Sequence, residues 1–338
     1  MKTRCQITLK PKEEVRIQNG HPWVYNNEIA SISGPIESGS ICEVYSSNQR
    51  FIGQGFLNTA SKIFVRIITR QEIELTDAFF KELIVSSNQR RLDLGYIGSY
   101  RVLFGESDGF PGLIVDKYED YLSIQVLSYG AEIRKAFIID TLVALFHPLG
   151  IMERSDALVR KKEGLEPFSG VIYGNVPPLV AINENGLTIH VDLYQGQKTG
   201  YFLDQQANHA AIKPYVLNKT VLDCFSHTGG FGLHAALYQA KSVVCVDISQ
   251  RAVDRIIDHA QINRLTQVSA VKADVFEYLR TLQNQSEKYD VIILDPPAFT
   301  KNNENVDKAY AGYKEINLQA MKCIHDNGYL ITSSCSHY

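Results

Sequence analysis

The chain has 338 residues, 45% hydrophobic and 21% charged, with a formal net charge of −3. A polypeptide of this length forms two or three domains of roughly 100 to 200 residues and buries a core without staples, which excludes a disordered, collagen-like or disulfide-stapled chain. No apolar run reaches about 18 residues and the N-terminal MKTRCQITLKPKEE lacks an apolar signal core, so neither a transmembrane helix nor a secretory leader is expected.

Residues 1–70 carry nine Lys or Arg against five Glu, a local net of +4 that leaves −7 for the rest. A basic head on an acidic body suits contact with phosphates, although ordinary surface charge gives the same count. ITL, GSICEVYS, RFIGQGFLN and KIFVRIITR are rich in β-branched and aromatic residues and are punctuated by Gly34-Pro35, Gly39 and Ser46 to Asn48. That pattern predicts short strands in a small β-barrel. Trp23, the one Trp, lies in His21-Pro22-Trp23-Val24-Tyr25 and reads as a core anchor.

In the middle segment Thr76 predicts an N-cap for a helix running to about Arg91. Gly109, Pro111 and Gly112 mark a tight turn into a strand within SDGFPGLIVDKY, and YLSIQVL alternates as another strand. AEIRKAFIIDTLVALF has apolar positions at helix spacing. NGLTIHVDL predicts a strand behind a turn. From about residue 205 strands and helices alternate: KTVLDCF, LHAALYQA, KSVVCVDIS, QRAVDRIIDHAQINR, QVSAVKADV, FEYLRTLQ, YDVIILDPPAF, NLQAMKCIH and GYLITSSCS. Five strands separated by helices imply a parallel, doubly wound α/β sheet.

In such a sheet the ligand sits beyond the carboxyl ends of the strands. The first strand leads into Asp223-Cys224-Phe225-Ser226-His227-Thr228-Gly229-Gly230-Phe231-Gly232. The second ends in Asp247-Ile248, the third in Ala273-Asp274-Val275 and the fourth in Asp295-Pro296-Pro297-Ala298-Phe299. Glycine lets the backbone approach a ligand and adopt positive φ. An acid after the second strand can accept both hydroxyls of a ribose, and one after the third can accept from an adenine amino group. Taken singly, these are ordinary N-caps and turns. Together with the DPP-aromatic element they suit a ligand made of adenosine and a charged tail, S-adenosylmethionine. Gly230-x-Gly232-x-x-Ala235 also matches a dinucleotide fingerprint. Its first glycine falls well past the strand end, however, and DPPAF has no place in hydride transfer.

The six cysteines show no CxxC pair and no zinc spacing, so they read as reduced thiols of a cytoplasmic protein without metal.

SDGFPGLIVDKY (107–118), QKTGYFLDQ (197–205), CFSHTGGF (224–231), LDPPAF (294–299) and SSCS (333–336) resemble one family. It is the RlmI-like bacterial methyltransferases that act on cytosine carbon 5 of large-subunit ribosomal RNA, within the class I S-adenosylmethionine-dependent methyltransferases. The resemblance runs over essentially the whole chain. It implies a PUA-like RNA-binding β-barrel over 1–72, which includes GHPWVYNNEI, a central α+β domain over 73–175, and a Rossmann-like methyltransferase domain over 176–338. It implies a cofactor site built from Gln205, Asp223, Phe225, Ser226, Gly229, Gly230, Asp247, Ile248, Asp274, Val275 and Asp295. RNA contacts are expected from Lys10, Arg16, His21, Trp23 and Phe299, with Lys198 and Tyr201 as further candidates. Ribosomal RNA of the large subunit is the implied partner, and a homodimer the implied assembly.

The resemblance also gives Cys335 a nucleophile's role with Asp295 beside it. Cytosine carbon 5 is a poor nucleophile, and a thiolate adding to carbon 6 makes an enamine that activates it. Residue type alone would make Cys335 a buried strand-end thiol. Cys224, read as part of the glycine loop, is the alternative thiol. Asp295 can stabilise charge on the ring as the thiol adds. Two other functions remain open: methylation of an exocyclic amine, which needs no thiol, and RNA binding without catalysis. A class I sheet normally has seven strands, whereas this sequence stops at Tyr338 after the fifth. About 40 to 50 further residues and an uncovered strand edge are therefore expected.

Overall fold

The computed structural model describes residues 4–300 and 306–335. The chain divides into two compact units, one of residues 1–182 with 191–204, the other of 183–190 with 205–338.

The first unit opens with β1 (Cys5–Leu9), α1 (Glu14–Gln18), β2 (Trp23–Tyr25), β3 (Ile29–Ser33), β4 (Ile41–Tyr45), β5 (Phe51–Leu57) and β6 (Ile63–Thr69). The strands form one sheet in the order β2-β6-β5-β4-β1-β3. Alternation in β1 and β4 buries Ile7, Leu9, Cys42 and Val44 against Ile17, Val24, Leu57 and Val65. Strand β5 is buried on both faces. Gly55 permits this close approach, since a Cβ there would stand 2.0 Å from the Arg66 carbonyl oxygen.

The unit continues with α2 (Asp77–Asp93), β7 (Tyr100–Phe104), β8 (Leu113–Tyr118), β9 (Tyr121–Val126), α3 (Tyr129–Glu132), α4 (Lys135–Phe146), β10 (Gly150–Ser155), α5 (Val159–Lys162) and β11 (Phe168–Gly174). Thr76 caps α2 as predicted, its hydroxyl accepting from Phe79 N at 3.3 Å. The apolar run expected to be one helix breaks at Ile133 and Arg134 into α3 and α4. A second sheet has the order β11-β10-β9-β8-β7. Phe56 of β5 reaches out of the barrel into this sheet's core, stacked on Phe80 and close to Phe110.

A hairpin of β12 (Val180–Glu184) and β13 (Leu187–Val191) contributes to both units. Asn185 and Gly186 turn it with φ of 50° and 97°, the positive pair that a two-residue hairpin favours.

The second unit holds α6 (Gln206–Ala211), α7 (Lys213–Val216), β14 (Thr220–Cys224), α8 (Gly230–Leu237), β15 (Ser242–Asp247), α9 (Gln250–Ile262), β16 (Val268–Lys272), α10 (Val275–Gln285), β17 (Tyr289–Leu294), α11 (Val306–Lys322) and β18 (Ile324–Thr332). The five strands are parallel in the order β16-β15-β14-β17-β18. This is the doubly wound arrangement the alternation predicted. Strand order reverses between β14 and β17, which sets the ligand crevice at their carboxyl ends.

Candidate active site at the carboxyl ends of the sheet

β14 is the central strand, and its last residues, Asp223 and Cys224, are fully buried. Cys224 therefore belongs to the strand and not to the glycine loop where it was expected. Burial pushes its thiol well above the ordinary value, which removes it as a thiolate nucleophile.

The chain leaves β14 through Phe225, His227 and Gly229, all at positive φ (61°, 49° and 89°), and enters α8 at Gly230. Each bend is held by a named bond. Ser226 Oγ donates to the Asp223 carbonyl at 2.6 Å and accepts from Val246 N at 2.9 Å, which stitches the loop to β15. Asp223 Oδ2 accepts from Gly232 N at 2.9 Å. Gly232 must be glycine, because a Cβ would stand 2.3 Å from Cys245 Sγ. Asp247 Oδ2 accepts from His227 N and Oδ1 from Ser249 N, both at 2.9 Å. Each of its oxygens keeps a second lone pair.

Burial pushes the Asp223 carboxyl up to about 7, against the Gly232 N–H that favours its charged form. The nearby carboxylates of Asp295 and Asp247 add to the rise. Asp223 thus holds the turn from beneath, while Asp247 is half-buried at the rim beside Ile248, which is 68% exposed.

Strand β16 ends at Lys272, so Asp274 lies past the strand, not at its end as expected, and caps α10. Its Oδ1 accepts from Phe276 N at 2.9 Å and Glu277 N at 3.2 Å. Val275, which follows, is buried. Gln205 ends the turn before α6 and its Oε1 accepts from Asn208 Nδ2 at 2.8 Å.

On the other side of the crevice, Asp295 follows β17. Its backbone N donates to the Cys224 carbonyl at 3.5 Å, and its Oδ1 accepts from the Ser333 hydroxyl. Ser333 N donates to the Leu294 carbonyl at 3.0 Å. These bonds carry the chain past the end of β18 at Thr332, so Cys335 stands three residues beyond the strand it was expected to end. Its thiol faces the Pro296 carbonyl at 3.8 Å. Of the six cysteines, five are buried and Cys335 is exposed. The structure thus brings Cys335 and Asp295 together. Ser333, which links them, had no sequence signal beyond its neighbourhood.

Phe299 is packed between Phe276, 5.9 Å away, and Tyr313, 4.5 Å away, where α10 meets α11.

In the barrel Trp23 is half-buried and outside the apolar core, unlike the anchor expected from its type. Its indole N–H donates to Glu106 at 2.8 Å and its ring lies under the Arg66 guanidinium at 5.5 Å. Arg16 pairs with Glu28, lies 3.2 Å from His21 Nε2 and sits over the Tyr25 ring. Lys10 is exposed, with Nζ donating to the Asn27 carbonyl at 2.7 Å. Of the two further candidates, Lys198 is half exposed, whereas Tyr201 is buried.

Residues 7–70 match the family of PUA-like domains and residues 164–326 that of S-adenosylmethionine-dependent methyltransferases. Ribosomal RNA large subunit methyltransferase I of Aliivibrio fischeri (strain ATCC 700601 / ES114) is 40% identical over 337 residues, covering 98% of this chain and 85% of that protein. The chain belongs to the ribosomal RNA large subunit methyltransferase I family. The Escherichia coli O139:H28 member is 38% identical over the same shares of both chains. Among solved structures, a Streptococcus mutans chain described as a SAM-dependent methyltransferase superposes with a TM-score of 0.80 at 24% identity, covering 97% of this chain and 85% of that one. A methyltransferase complexed with SAH gives 0.82 at 24% identity, covering 98% and 86%. These two show the fold.

Membership makes S-adenosylmethionine the cofactor. The residues fit it: a loop whose backbone runs through positive φ at Phe225, His227 and Gly229, a carboxylate at the end of β15 with spare acceptor capacity, and exposed Ile248 to cover a flat base. Among the described residues no helix is long and apolar enough to cross a membrane.

Proposed function

We propose that the protein methylates carbon 5 of a cytosine in large-subunit ribosomal RNA, with Cys335 as the nucleophile. The observation that carries this reading is the Cys335 thiol, exposed beside the Asp295-Pro296 turn at the mouth of the crevice. The curated relatives, named as large-subunit ribosomal RNA methyltransferases, supply the substrate class.

When bound, S-adenosylmethionine supplies an electrophilic methyl group on a sulfonium. The chain supplies the rest. Cys335, as thiolate, adds to cytosine carbon 6, and the ring's electron pair moves to carbon 5. Asp295, oriented by Ser333, hydrogen-bonds the ring as that charge develops. Carbon 5 takes the methyl and the thioether S-adenosylhomocysteine is left behind; carbon 5 then gives its proton to solvent water, the carbon 5–carbon 6 double bond re-forms and the thiolate leaves. Asp247 would hold the ribose, Ile248 and Val275 the adenine and Asp274 its amino group, and Gln205 with the Phe225–Gly230 loop would take the methionine end. Lys10, Arg16, His21 and Trp23 face RNA from the barrel, and Phe299 backs the target base. The free thiols and the absence, among the described residues, of a membrane-crossing helix support a cytoplasmic setting. The family resemblance supports a homodimer, which light scattering during gel filtration checks.

The test is incubation with tritiated S-adenosylmethionine and unmodified large-subunit ribosomal RNA, followed by nucleoside mass spectrometry. Label in 5-methylcytidine from the parent, and a loss of about 10³-fold or more in Cys335→Ala, are expected. Full turnover by Cys335→Ala, or label on an exocyclic amine, would replace the thiol mechanism with direct transfer.

A further inference from the structure

Beneath the glycine loop lies a buried polar cluster with no part in the chemistry above. Glu184 ends β12, His209 lies on α6 and His234 on α8; they are 1%, 4% and 0% exposed. His209 Nδ1 meets Glu184 Oε1 at 2.5 Å, and His234 Nε2 lies 3.8 Å from the same oxygen. His234 Nδ1 is 2.7 Å from the Gly230 carbonyl, the bond of an N–H donor. Asn185 Nδ2 donates to the Gln206 carbonyl at 2.9 Å and lies 3.4 Å from His234 Nε2.

Two imidazoles and a carboxylate are of metal-ligand type. Their geometry is not that of a cage, however. The rings are stacked, with centroids 5.1 Å apart and planes 27° apart, so their in-plane lone pairs do not converge on one point. What they do touch is the loop. A Cβ on Gly230 would stand 2.5 Å from both Cε1 and Nε2 of His209. The same ring meets Phe231 edge-on at 4.6 Å.

We propose that Glu184 and His209 form a brace that positions the first turn of α8, and that Gly230 is glycine to admit the His209 ring rather than a ligand. Glu184 fixes the ring from one side, the ring fills the space a Gly230 side chain would take, and His234, stacked on that ring, donates to the Gly230 carbonyl. Asn208, one residue before His209, holds Gln205. The brace thus couples the α6 segment to the glycine loop. This inference rests on the reading of that loop as part of the cofactor site. Glu184 and His209 are positioning residues and touch no reacting atom.

The experiment is a double-mutant cycle on Gly230 and His209, read as the thermal midpoint of the free protein and as the S-adenosylmethionine dissociation constant by calorimetry. Gly230→Ala should lower the midpoint and weaken cofactor binding by about tenfold or more; adding His209→Ala should restore most of the midpoint, a coupling typical of touching residues, while affinity stays weak because the double variant lacks the brace. If the double variant stays as weak as Gly230→Ala, in midpoint and affinity, the glycine serves the ligand and the brace falls. Recovery of both midpoint and affinity would leave packing but overturn positioning. A cofactor site elsewhere would show as a midpoint that responds across the cycle while affinity never changes, which overturns the loop assignment instead. Should Gly230→Ala fail to fold, Glu184→Ala against Glu184→Gln decides. Gln keeps an acceptor for His209 and should bind like the parent, whereas Ala should raise the cofactor KM with kcat at saturation little changed. Equal affinities in the two would sink the proposal.

Discussion

Asp223 shows how one side chain couples the glycine turn to pH. Burial pushes its carboxyl up to about 7 in the folded protein from the ordinary 3.8. Between those values the folded state binds the extra proton, so stability falls as pH rises through about 4 to 7. The full difference is on the order of 4 kcal/mol, since one unit is about 1.4 kcal/mol. Asp223→Asn keeps an acceptor for Gly232 N without the charge. Its urea midpoint is expected to exceed the parent's at pH 8 and to lose this component of the pH dependence, while the two converge near pH 4. Equal slopes for parent and variant over that window would refute the assignment. At this scale much of the site is legible in sequence. Asp223, Asp247 and Asp295 are visible because each follows an apolar strand run, and spacing alone aligns them along one edge. Asp274 shares that edge but spends Oδ1 on a cap, the role acids at such positions ordinarily take. Glu184 and His209 lie 25 residues apart and on different elements, so no local pattern announces them.

At the scale of elements, strand-helix alternation in the second unit gave the sheet and its parallel sense, because fully buried strands and amphipathic helices have distinct periods. In α9 the buried Ala252, Val253, Ile256, His259 and Ala260 follow helix spacing closely. Strands β7, β10 and β11 had no such mark. YRVLF and GIMERS carry charged residues that are paired inside: Arg101 with Asp116, and Glu153 with Lys135. Buried ion pairs hide a strand's apolar signature. Glycines carry a different burden from caps, and stability data will separate them. Thr76→Ala loses one side-chain cap and should cost about 1 kcal/mol. Gly55→Ala drives a Cβ onto the Arg66 carbonyl, where neither strand can yield without breaking the β5–β6 ladder. It is expected to cost several times more, or to abolish folding, in matched urea titrations; a smaller loss than in Thr76→Ala would contradict the close approach.

At the scale of the molecule, the barrel is not an independent appendage of its own unit. Arg66 on β6 is buried between Glu106 at 2.7 Å and Glu163 at 2.8 Å, and Glu163 also accepts from Asn58 and Ser61. Removing one partner of such a network strands a buried charge. With Phe56 seated beside Phe80 and Phe110, the barrel supplies part of the core around the second sheet. Deleting residues 1–70 would therefore expose that core, and a loss of RNA binding after such a deletion would report unfolding as readily as a lost surface. Point variants at exposed cations avoid this. Lys10 and Lys12 are exposed on the barrel surface, Lys10 holding only the Asn27 carbonyl, whereas Arg66 is committed inside. If these lysines meet phosphates, Lys10→Ala with Lys12→Ala should weaken RNA binding and lower the slope of log K against log salt by about 1.4 to 2, at close to one released counterion per contact. The thermal midpoint should move little, because among the described residues neither lysine makes an ion pair within the barrel and Lys10 gives up only an exposed hydrogen bond to the Asn27 carbonyl. An unchanged slope at unchanged stability would shift the RNA-facing surface away from this edge of the barrel.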